Sequence, residues 1–344
     1  MKNDFFKQHF NSIQILRGIA CFFVIFCHIA YANVGIFAVD TFFIISGFMI
    51  LYSTNKNDNS FFLTKRLLRI IPLYYLMTFF TYISMYIFPS LFEQVSAQLS
   101  FLIKSLFFIP FDIIGNGTIQ PLMRIGWTIN YEIFFYLIFK VSLKISHKYR
   151  AIVASAIICL LVFFIHPISS LPIFLSYYSD PILLDFIWGM IAFYICKWLF
   201  QKKDTLTKHN IPFLVCLIYL IAQILFFSIT NSSTEINNFN RPINLGIPST
   251  FLFISFFIVG LYNFRNKFFD YLTSLGNMSF SIYLLHYYIV QFIGRKVFDF
   301  STLTFSSAIG TIIAIVLTLV ISKISYELIE KRLTRYLTKI IISN

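Results

Sequence analysis

Apolar and polar positions follow one another along this chain in long blocks. Apolar stretches of bilayer-crossing length occupy residues 12–32, 36–54, 71–89, 127–146, 151–170, 182–200, 211–230, 247–264, 277–297 and 304–323. About twenty apolar residues make a helix as long as a membrane is thick. A backbone in hydrocarbon must satisfy its own N–H and C=O groups, so each block is predicted as a helix. The predicted fold class is all-α: a polytopic integral membrane protein of about ten transmembrane helices. Most breaks between blocks are short, which makes consecutive helices antiparallel. The exception is Pro89–Gly126, whose apolar piece Leu99–Pro110 is too short to span. It is expected to re-enter the membrane or lie along its outer surface. No repeat stands out, and 1–344 reads as a single transmembrane domain with no soluble extracytoplasmic domain.

Composition supports this reading. Hydrophobic residues make up 58% and charged residues 12% of the chain, against about 45–50% and 25% in soluble domains. The net charge of +13 would suit nucleic acid, but its distribution excludes that class. With the amino terminus inside, 21 of the 27 basic residues face the cytoplasm. Lys104, Arg124, Arg241, Arg295 and Lys296 face outward, and Arg17 lies within a helix. This bias places both termini in the cytoplasm. The basic tail Lys331–Lys339 then favours anionic membrane lipid. The first block lacks a small-residue cleavage motif and reads as a retained signal anchor. The five cysteines fall in apolar stretches without C-x-x-C or Cys/His spacing, so neither a disulfide framework nor a metal site is expected.

Against this background the ionisable residues inside blocks carry the chemical interest. Arg17 and His28 are eleven residues apart, so on one helix they share a face, about 20° apart in direction and about 16 Å in depth. His28 lies six residues before Val34 and Asp40 six after it. A hairpin turning there puts imidazole and carboxylate at similar depth. A carboxylate within a span costs about 2.5–3.5 kcal/mol on insertion scales, so it is paired or lines a wet cavity. Bonded to His28, Asp40 would fix one tautomer and stabilise the imidazolium formed when the histidine takes a proton. Plain helix packing would also account for His28, and a structural bond for the pair.

Other candidates have bland readings too. Arg66 and Arg69 share a helical face at the cytoplasmic mouth and form a fork suited to phosphate, or serve only as topogenic charge. Arg17 could join them or snorkel to headgroups. Trp127 suits an interfacial anchor. Glu132 lies about a turn and a half inside the fourth block, with no basic residue nearby in sequence. Ser281, Tyr283 and His286 could be satisfied by helix–helix hydrogen bonds.

Taken together, these residues resemble the membrane acyltransferase family 3. The basic residue, ten residues and histidine of its first helix match Arg17 to His28, and Asp-x-Phe-Phe-x-x-Ser-Gly-Phe matches Asp40 to Phe48, including Ser46. Arg-x-x-Arg before Pro matches Arg66, Arg69 and Pro72. The Trp-Thr/Ser-x-x-x-Glu-x-x-Phe-Tyr segment fits Trp127, Glu132, Phe135 and Tyr136. Tyr-Leu-Leu-His matches Tyr283 to His286, and Tyr-Glu-x-x-Glu-Lys matches Tyr326 to Lys331. Asn130 and the lead-in Pro121-Leu122 look like the branch that decorates bacterial exopolysaccharides. Two features depart from the family: no fused Ser-Gly-Asn-His hydrolase-like domain is expected, and Arg332 replaces the usual proline after Glu-Lys.

The resemblance implies a bacterial cytoplasmic-membrane enzyme that moves an acyl group, usually acetyl, from cytosolic acyl-CoA to a hydroxyl of an extracytoplasmic or lipid-linked polysaccharide. Acetyl-CoA or another acyl-CoA is a co-substrate, and no permanently bound cofactor is expected. Polysaccharide-assembly proteins are candidate partners. His28, Asp40 and Glu132 would be catalytic. Arg17, Arg66 and Arg69 would hold the donor, and Ser46, Trp127, Tyr136, Tyr283 and His286 would support the acceptor. Direct attack and a covalent acyl-enzyme on Ser or Tyr are both open. The rival class is a transporter or flippase for a lipid-linked saccharide or acyl carrier, since buried ionisable groups serve both. Transporters often show two similar halves, and the Arg17–Phe48 pattern has no second copy. A scaffold in polysaccharide export is a third reading, which leaves Asp40 and Glu132 unexplained.

Overall fold

A computed structural model describes residues 5–8, 10–29, 35–55, 61–89, 92, 95, 97–168, 170–207, 216–221, 223, 240–262, 266–294, 298 and 305–342. In chain order its principal helices are α1 (Asn11–Ile29), α2 (Phe37–Ser53), α3 (Phe62–Ile87), α4 (Leu99–Leu106), α5 (Trp127–Ile145) and α6 (Arg150–Leu160). They continue as α7 (Leu184–Gln201), α8 (Ile247–Gly260), α9 (Lys267–Asn277), α10 (Ser279–Phe292), α11 (Phe305–Ser325) and α12 (Thr334–Ile342). Among the described residues there is no strand, only one antiparallel bridge between Asp112 and Ile119. Five described helical stretches are long and apolar enough to cross a membrane: Asn11–Ile29, Phe62–Ile87, Pro181–Gln201, Pro242–Gly260 and Ser306–Ile342. Phe37–Ser53 and Arg150–Ile165 are shorter apolar helices. α5 carries Glu132, Lys140 and Lys144 within its 19 residues, which lowers its hydropathy. This is the helix set of a membrane protein.

Several predicted boundaries shift. α3 begins at Phe62, well before the apolar block at 71, because Lys65, Arg66 and Arg69 lower hydropathy without breaking a helix. The block predicted at 277–297 is preceded by a separate helix, α9, whose mixed residues KFFDYLTSLGN pack one face only and escape an apolar-run criterion. The last helix continues through Tyr326–Leu333 into α12, helped by Lys323 and Lys331 on Glu327 at 3.5 and 3.1 Å, spacings that support a helix. The turn at Val34, the 56–60 part of the next link and most of the block 211–230 lie outside the described residues.

The chain divides into two compact units, residues 1–57 with 184–320 and residues 58–183 with 321–344. In the first, α2 lies directly on α7. A Cβ on Gly189 would stand 2.2 Å from the Ile44 carbonyl oxygen, and one on Gly47 would stand 2.3 Å from that of Phe186. α1 meets α9 just as closely, since a Cβ on Gly276 would overlap the Gln14 carbonyl. Lipid is as apolar as a side chain, so membrane helices gain from such close backbone approach and from hydrogen bonds more than from apolar burial. The Cys21 thiol donates to the Ser279 carbonyl at 3.3 Å and ties α1 to the start of α10.

In the second unit, the Tyr74 and Tyr75 hydroxyls on α3 donate to the Ser105 and Leu106 carbonyls of α4, both at 3.0 Å. These bonds cap the carbonyl end of α4, an 8-residue helix too short to span, as predicted. In the loop that follows, Asp112 accepts the backbone N–H groups of Gly117, Gly115 and Ile114. Those donors, Gly117 foremost, hold its carboxyl below the usual range. The loop bonds are therefore complete above the ordinary aspartate value and are lost as pH falls through the lowered one.

Candidate active site

In the first unit α1, α2 and α10 converge. Ala20 and Val24 of α1 and Ala38 of α2 form a small core against Phe23, Phe42 and Tyr283. Small residues there let the three helices close up, and His28, one turn beyond Val24, arrives beside α10. Its ring lies 5.2 Å from that of His286, tilted by 42°, and 5.3 Å from Tyr287, edge-on. His286 is fully buried. Tyr283 stands 5.9 Å from His286 and 6.0 Å from Phe42. The sequence thus names His28 from one motif and Tyr283 and His286 from another, and the fold brings the three together.

Asp40 is where the geometry departs from the sequence reading. It is fully buried, and both its oxygens are taken by Arg241: Nε donates to Oδ1 at 3.0 Å and Nη2 to Oδ2 at 2.8 Å. Nη2 also reaches the Ile36 carbonyl at 3.4 Å. The expected bond from Asp40 to His28 is therefore replaced by a two-pronged ion pair. The reason is physical: a buried carboxylate is neutralised far better by a planar guanidinium than by a neutral imidazole. Arg241 was legible only as one of the few outer cations, directly before Pro242. Ser46 is buried on α2 beside Gly47, and Arg17 is half-buried on α1.

The second unit holds the other named residues. Tyr136 donates to the Glu132 carboxylate one turn away on α5. The Arg66 guanidinium lies over the Tyr136 ring, 5.5 Å from its centre, and Arg69 follows one turn later on α3. Phe62 packs on Tyr136 and Phe139 at 6.4 and 5.7 Å and sets the register of α3 on α5. Glu132 thus has cations nearby after all, on the neighbouring helix. At the start of α5, the Tyr177 hydroxyl donates to the Trp127 carbonyl and the Tyr131 hydroxyl to the Tyr177 carbonyl, both at 3.0 Å. The Tyr131 and Tyr177 rings stack at 4.6 Å. This lock holds Trp127 half-buried at the helix entrance. Among the described residues no three of His, Cys, Asp and Glu come together as metal ligands.

The chain matches the family described as an acyltransferase domain over residues 10–327. It is 31% identical over 161 residues to the exopolysaccharide production protein ExoZ of Rhizobium meliloti, covering 46% of this chain and 50% of that protein. It is 27% identical over an alignment of 354 positions to the O-acetyltransferase OatA of Staphylococcus aureus, covering 94% of this chain and 57% of OatA. The chain therefore spans only about half the length of these curated relatives. No solved structure matches it. With the match running from residue 10 to residue 327, the chain belongs to the family 3 acyltransferases.

Proposed function

We propose that this protein transfers an acyl group, acetyl in the first instance, from cytosolic acyl-CoA to a hydroxyl of an extracytoplasmic or lipid-linked polysaccharide. The observation that carries the reading is a histidine, His28, held beside a second histidine on membrane helices of an acyltransferase. The relatives named for exopolysaccharide production and O-acetyl transfer support the acceptor class and the acyl group. In the proposed step the sugar oxygen attacks the thioester carbonyl carbon while its proton passes to His28. The carbon–sulfur bond breaks, and the imidazolium returns the proton to the CoA thiolate. Glu132, steadied by Tyr136, would position the acceptor or serve as a second acid/base.

Arg66 and Arg69 are assigned to the phosphates of the donor, and Arg17 joins them on its motif alone. Arg69→Ala is expected to weaken acyl-CoA binding by about 1.5–3 kcal/mol for each charge-assisted bond lost. Arg69→Lys should recover only part of it, since a lysine lacks the guanidinium fork. Calorimetry on detergent-solubilised protein measures this, and unchanged affinity in Arg69→Ala would return the pair to a topogenic role.

The proposal needs ten spans with both termini and the link from Lys56 to Arg69 inside, the arrangement that gathers the basic residues in the cytoplasm. A cysteine placed at the exposed Asn116 should be labelled by an impermeant maleimide from outside, and one at the exposed Asn55 should not. The reverse pattern overturns the topology.

A further inference from the structure

His286 carries information that the motif around it does not. Its Nδ1 lies 2.6 Å from the Tyr283 carbonyl oxygen and 3.2 Å from that of Ile282, one turn back on α10. A carbonyl oxygen can only accept, so Nδ1 carries the hydrogen. In a neutral imidazole that leaves Nε2 as a bare lone pair. Nε2 is buried and makes no hydrogen bond among the described residues. Buried polar atoms are normally satisfied, and an exception calls for an explanation. The His28 ring stands 5.2 Å away.

We infer that Nε2 of His286 is the acceptor that positions His28 for catalysis. By accepting the N–H of one His28 ring nitrogen, it leaves the other nitrogen bare for the sugar hydroxyl. When His28 takes the hydroxyl proton, both its nitrogens carry hydrogens, and the His286 lone pair stabilises the imidazolium until the proton leaves with the CoA thiol. His286 thus does what spacing assigns to Asp40, whose oxygens Arg241 occupies. A neutral acceptor does this without adding a charge to the membrane interior. His286 is a positioning residue, and the inference rests on the acyl transfer proposed above.

Two substitutions separate the ring nitrogens. His286→Gln can place an amide oxygen where Nε2 stands, whereas His286→Asn can keep a donor where Nδ1 stands and supplies no acceptor beyond it. At matched amounts of folded protein, Gln should stay within about tenfold of wild-type turnover, and Asn and Leu should fall by about 10²-fold or more, as for loss of a general base's support. The KM for acyl-CoA should not move in any of them. Asn equal to Gln, or losses that follow folded yield alone, would overturn the inference while leaving acyl transfer standing. Absence of transfer by the wild-type protein would remove both. Nitrogen-15 spectra of histidine-labelled wild-type protein give a readout independent of turnover. The His286 signal, identified by its loss in His286→Gln, should show hydrogen on Nδ1, and a hydrogen on Nε2 contradicts the inference.

Discussion

Arg241→Ala is expected to destabilise the protein by about 3–5 kcal/mol, the cost of leaving one partner of a buried ion pair alone. Asp40 is 0% exposed and Arg241 only 18%, and the two meet through both prongs of the guanidinium. Removing the arginine strands a carboxylate that neither lipid nor the packed face of α2 can solvate. Asp40→Asn leaves no buried charge and should cost less. The pair Asp40→Leu with Arg241→Leu should regain much of the loss, because residues in contact are not additive. Thermal unfolding of detergent-solubilised protein, read as the fraction remaining monodisperse, measures the series. Wild-type stability in Arg241→Ala would show that the pair does not hold this unit together. The same pair changes what Asp40→Asn means for activity: its losses should follow the amount of folded protein.

His28→Ala is expected to lower acyl transfer by about 10²–10⁴-fold, the usual contribution of a general base. Folding should be little affected, since His28 is only half-buried and its neighbours pack without it. Acyl-CoA binding should also survive, because phosphate is assigned to other side chains: Arg66 and Arg69 on α3, and Arg17 three turns back on α1. Loss of turnover at constant affinity marks a group that acts in the transition state, whereas a rise in KM alone marks one that only binds. Turnover within tenfold of wild type in His28→Ala would remove His28 from the role of base.

The long helices were legible because hydrocarbon demands continuous apolar runs: nine of the ten predicted blocks contain a described helix, and in five of them it belongs to a stretch long and apolar enough to cross a membrane. Boundaries were less so wherever charge and helix coincide, as at Arg66 and Arg69 on α3, or where a helix buries one face, as in α9. Within the site, motifs named His28, Tyr283, His286, Glu132 and Tyr136 but said little about which of them meet. Tyr136 and Glu132 could be paired from sequence, being one helical turn apart. Arg241 could not, because it lies 201 residues from Asp40 and no local pattern links them. Spacing around a turn fixes depth along a hairpin, yet the partner of a buried charge is chosen by whichever cation the whole fold brings within reach.

The central claim is that acyl groups pass from CoA to a glycan hydroxyl with His28 as base. The direct measurement uses purified protein in liposomes with radiolabelled acetyl-CoA and surface glycan from the native cell. The account predicts label in alkali-labile esters on the glycan, one CoA thiol released per ester, and neither product with His28→Ala. Glycan label formed equally by His28→Ala, or no ester formed by wild-type protein with donor and glycan both present, would contradict it.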